Sequence, residues 1–142
     1  MKKTMIVLFT SIVLGACGNS PEQTSLQDAM TARLKDDQDL KDYKLDPAEV
    51  AACVVKSITD SLPGFSGDPR RARYFEAYTR FVSVDSPGAA DSAMQQYQDL
   101  FGGIKEAREA ANTVTDHIMS CMGVAIAQHG DDVSPRSDGE AK

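Results

Sequence analysis

The chain reads as all-α, a small bundle of about four helices, on three observations. Asp46-Pro47, Asp68-Pro69 and Ser86-Pro87 each place a capping side chain before a proline at the first helical position, where a missing N–H costs nothing. Apolar residues then recur at spacings of three and four, the period of one helix face. Alternation of polar and apolar residues persists over a strand's length nowhere after residue 17, and Phe81 to Val84 is the only short candidate.

The first helix is expected within 25–42, where Leu26, Met30, Leu34 and Leu40 give a patchy stripe among many charges. Its packing is the least defined of the set. The second runs over about 48–61, with Asp46 as cap, Glu49 completing a capping box and Leu45 placed to staple onto Val50. Ala51, Val54, Val55, Ile58 and Leu62 form its buried stripe, and Pro63-Gly64 ends it. A third helix covers about 70–82, with Tyr74, Tyr78, Phe81 and Val82 in its stripe and Phe75 on the flank. The last segment covers about 88–128, and Tyr97, Leu100, Ile104, Ala107, Ala111, Val114, Ile118, Met122 and Ala125 share one side of it. Gly102-Gly103 is the place for a kink or break, since two glycines cost about 2 kcal/mol relative to alanine inside a helix. A straight helix that tolerates the pair is the alternative. Met119 and Met122 read as adaptable core fillers near the end of the bundle.

Lys2 and Lys3 precede a short apolar run from Met5 to Leu14 closed by small residues, the layout of a removable secretory signal. A membrane span would take roughly 20 apolar residues. Leu14-Gly15-Ala16-Cys17 resembles the lipobox of bacterial lipoproteins, a likeness that covers the first seventeen residues. The resemblance implies that signal peptidase II removes residues 1–16 and that the Cys17 thiol, left as the first residue, carries a diacylglyceryl group. Gly18, rather than Asp, follows Cys17, which is similar to lipoproteins that diderm bacteria sort to the outer membrane, facing the periplasm. An ordinary secretory signal with an incidental cysteine is the alternative. Each buried methylene contributes about 0.8 kcal/mol, so two or more acyl chains anchor stably and no membrane helix is needed. On this reading 17–25 is an acylated N-terminus and solvated tether, 26–129 the helical domain, and 130–142 a flexible polar tail.

Removing residues 1–16 takes away two lysines and no acids, so 15 basic against 21 acidic residues become 13 against 21, and the net charge moves from −6 to −8. That balance argues against nucleic acid as a partner, since a binder needs a basic surface to displace counterions. Export also places Cys53 and Cys121 in an oxidising compartment, where a thiol pair is most simply a disulfide. On a wheel of 100° per residue, both cysteines fall at the flanks of their apolar stripes, so they can meet at a seam between two helices. Two free thiols are the alternative. His117 shares a face with Cys121, but no fourth ligand is evident beside Cys53, and Asp116 projects away, so no metal or other cofactor is expected. His129 suits a helix C-terminus as a cation.

Arg70, Arg71 and Arg73 form the one basic cluster, at a helix N-terminus where the macrodipole disfavours positive charge. Either they contact a partner, an acidic protein surface or a phosphate-bearing headgroup, or they pair internally with Asp60, Asp68 and Glu76. The acids from Asp36 to Asp46 make an opposite patch, most simply a solvated face. No Gly-x-Ser-x-Gly elbow, His-Glu-x-x-His pair or phosphate-cradling glycine loop is present, so catalysis has no support in the sequence. The expectation is a non-catalytic lipoprotein that binds another envelope protein. Alternatives are an inhibitor or immunity protein against a basic periplasmic enzyme and a carrier of a small apolar ligand. The architecture is similar to that of the type II secretion pilotins, small helical lipoproteins with a disulfide.

Overall fold

The computed structural model describes residues 19–130, so Cys17, the signal segment and the expected tail beyond Gly130 lie outside the described residues. Six α-helices and no strand occur among the described residues: α1 (Pro21–Leu34), α2 (Gln38–Asp42), α3 (Pro47–Ser61), α4 (Arg70–Ser83), α5 (Pro87–Phe101) and α6 (Ile104–Gly130). The all-α class holds and the expected count of about four does not. Two expected helices are each split, one by the short turn between Leu34 and Gln38 and one by the glycine pair. The strand candidate over Phe81 to Val84 is the last turn of α4 followed by one extended residue, Val84.

Four helix starts use the same chemistry. Ser20 Oγ accepts from the Gln23 amide, Asp46 Oδ1 from Ala48 and Ser86 Oγ from Ala89, each beside a proline that opens the helix. At α4 the carboxylate of Asp68 accepts from the Arg70 amide at 2.9 Å while its carbonyl accepts from Arg71. Because Ser20 caps α1, residues 21–25 are helical and not tether, a correction to the expected boundary at 26. The expected capping box at Glu49 also fails: its carboxylate lies 3.4 Å from His129 Nε2 in the last turn of α6. Glu49 therefore joins α3 to α6, and His129 has a side-chain partner besides its helix terminus.

Five helices close a ring: α1 packs on α3, α3 on α6, α6 on α5, α5 on α4, and α4 back on α1. The apolar stripes face inward. Leu26, Met30 and Leu34 of α1 recur every four residues and are almost wholly buried, so the helix that looked weakest in sequence carries some of the deepest core. Charges crowd its other faces and leave the stripe narrow. Tyr74, Tyr78 and Phe81 of α4 meet Tyr97 and Phe101 of α5 in mostly edge-to-face pairs with centroids 5.3 to 6.2 Å apart. Phe75, expected at the flank of α4, is buried, whereas Tyr74 is only half-buried. Ile104 departs from the expected stripe and is 39 % exposed, because α6 begins there, directly after the turn.

That turn needs glycine. Gly102 has φ +96° and Gly103 φ +150°, and both amides donate to the Gln98 carbonyl, closing the end of α5. The reversal brings α5 alongside α6, while the last turns of α5 pack on α4. None of the described helices is long and apolar enough to cross a membrane.

Candidate functional site

Cys53 of α3 and Cys121 of α6 are joined by a disulfide, their Cα atoms 5.9 Å apart and 68 residues distant in sequence. The bridge occupies the seam predicted from the helical wheel, with Cys121 buried and Cys53 half-buried beside the core. It also removes both sulfurs as thiolate ligands. Among the described residues no group of three His, Cys, Asp or Glu side chains could hold a metal ion.

The arginine cluster at the start of α4 divides into three separate environments. Arg70 grips Asp68, with Nε and Nη2 both donating to the carboxylate, the shortest contact being 2.7 Å. This hydrogen-bonded cation holds the Asp68 carboxyl below the usual carboxylate range, and the carboxylate in turn raises Arg70. Arg71 leaves its own helix and donates through Nη2 to the Thr59 carbonyl in the last turn of α3. No basic residue stands in that last turn of α3, so a cation unfavourable for α4 fills the favourable place at the negative end of α3. The Thr59 hydroxyl accepts from Gln23 of α1 at 3.4 Å, so Gln23, Thr59 and Arg71 tie three helices at one polar junction. Of the three acids expected to pair, only Asp68 holds an arginine in an ion pair; Asp60 pairs with Lys56.

Arg73 is exposed and lines a cleft of about 510 Å³ between the first turns of α4 and the last turns of α5. Across from it stand Gln96, Tyr97 and Asp99, with Tyr74 and Leu100 forming part of the wall. The Tyr74 hydroxyl donates to the Leu100 carbonyl at 3.0 Å and fixes the cleft's inner end. Burial first, and then the nearby Glu76 carboxylate, push the Tyr97 phenol up from its ordinary value, so it stays a neutral donor. The cleft offers the Arg73 guanidinium beside that of Arg70, which Asp68 holds, together with the phenols of Tyr74 and Tyr97, one amide and one carboxylate. Such a set recognises polar groups by hydrogen bonding, and it contains no nucleophile beside a base.

Sequence reasoning found the arginines and missed what faces them. Tyr97 and Asp99 come opposite Arg73 only because the chain reverses between α4 and α5 at Val84 to Ser86, and no local pattern records that pairing. The chain matches no protein-family profile, no curated protein and no solved structure.

Proposed function

We propose that this protein is a bacterial envelope lipoprotein, anchored through acylated Cys17 to the outer membrane facing the periplasm, that acts as a non-catalytic protein-binding or accessory factor. The observation that carries the reading is Leu14-Gly15-Ala16-Cys17 behind two lysines and an apolar run. A structural disulfide supports it, because such bridges persist in oxidising compartments. The start of α1 at Pro21 adds a geometric consequence. Three residue steps from Cys17 to the Ser20 cap reach at most about 10 Å, so the domain rides close to the bilayer rather than on a long tether.

Arg73 and its cleft are the contact we assign to the envelope partner, since Arg70 and Arg71 are engaged within the fold. Crosslinking the anchored protein in native envelopes, followed by its recovery, tests this. A specific protein should be recovered, and Arg73→Glu should reduce the yield several-fold while the helical content stays unchanged. Repeated recovery of nothing specific would overturn the reading.

A further inference from the structure

A second surface lies away from the arginine cleft, where the loop between α1 and α2 meets α6. It is a groove of about 390 Å³. Its floor is Leu34, Ile118 and Met122, and Met119 stands at its side with 63 % of its surface in water. Along α6, Met119, Met122 and Ile126 follow at spacings of three and four, and no charged side chain occurs from 118 to 128. That uncharged stretch is about 16 Å of helix, the length over which a docked helix places its i, i+3/i+4 and i+7 anchors. Methionine suits such a floor because its unbranched thioether adapts to the shape laid on it.

The rim is acidic: Asp36, Asp37 and Asp39 face Arg33 as the one cation of the lining. Arg33 is already turned toward the Val82 carbonyl, to which it donates at 3.4 Å. Among the described residues the Asp36 carboxylate pairs with Lys41 alone, at 3.6 Å, an exposed pair of little worth that a partner's cation can replace. An apolar floor with carboxylates along one edge is complementary to an amphipathic helix with cations along one edge. A second copy of this chain, at net charge −6, brings mainly like charge to that rim.

We propose that this groove docks a basic amphipathic helix of a partner protein. The inference rests on the protein-binding reading above and adds to it the surface and the partner's chemistry. The test uses the processed full-length chain in a zwitterionic nanodisc, with a synthetic amphipathic helix of leucine and lysine as probe and a leucine–glutamate counterpart as control. With methionine methyl groups labelled, the lysine peptide should shift the signals of Met119 and Met122 and leave those of Met30 and Met94 in place. Met119→Glu, or Asp36→Asn together with Asp39→Asn, should weaken binding about tenfold. Asp60→Asn, at a remote exposed acid, should change it less than twofold. No preference for the lysine peptide, unmoved Met119 and Met122 signals, or an equal loss with Asp60→Asn would each overturn the proposal. An envelope partner that Met119→Glu still captures would refute this surface alone, whereas peptide docking without any envelope partner would refute the wider reading alone.

Discussion

The carboxylate of Asp68 caps α4 through the Arg70 amide, binds the Arg70 guanidinium, and lies against Gly64 in the loop that leaves α3. Gly64 has φ +84°, and a Cβ there would collide with the Asp68 carboxylate. Gly64→Ala should therefore cost about 1–3 kcal/mol in denaturant unfolding, through backbone strain and loss of the cap together. Asp68 also makes stability depend on pH in a definite direction. Its folded pKa lies below that of an ordinary aspartate, so its contribution is full above the carboxylate range and is lost as pH falls through the folded value. Thermal melts of Asp68→Asn should show a deficit at neutral pH that shrinks on acidification and disappears once the carboxyl is protonated in both states; a deficit independent of pH would contradict this. The sequence already held Asp68 as a cap. It did not hold Arg71 donating to Thr59, because the benefit accrues to another helix and the helix that supplies the arginine shows only its cost.

Helix α1 shows where element-level reading succeeds and where it stops. Leu26, Met30 and Leu34 are spaced to form one stripe, and that much is legible. Ser20-Pro21 carries the same start signal as Ser86-Pro87, but the polar residues that follow it contain nothing apolar before Leu26, so the stretch resembled a tether. Depth of burial was invisible, since it depends on α3 and α4 closing over the stripe. The structure predicts an inversion of apparent importance. Leu26→Ala should destabilise by about 2–5 kcal/mol, as a large-to-small change in a fully buried site does, whereas Ile104→Ala should stay below about 1 kcal/mol. Urea unfolding of the two variants separates them, and equal losses would mean that α1 is not a load of the core. The break at Gly102-Gly103 was legible for the opposite reason: two adjacent glycines have a local cost that the left-handed turn relieves.

At the scale of the molecule, the disulfide and the ring of helices act together. The bridge joins α3 to α6 across a loop of 68 residues, for which the chain-entropy model assigns about 4 kcal/mol, a large share of the stability of a domain of this size. Cys53→Ser together with Cys121→Ser should lower unfolding stability by about 2–4 kcal/mol, and reduction of the parent chain should do the same. The seam position was legible because both cysteines flank their stripes; which helices neighbour one another around the ring was not. The proposed function adds to this a net charge of −8 after processing and an anchor three residue steps from the Ser20 cap, which together would hold the domain close to a bilayer. The intact mass of the protein isolated from native membranes, with and without reduction, tests that account most directly. It predicts a chain lacking residues 1–16, carrying acyl groups at Cys17 and gaining the mass of two hydrogens on reduction. An unprocessed, unacylated chain with free thiols at Cys53 and Cys121 would contradict it.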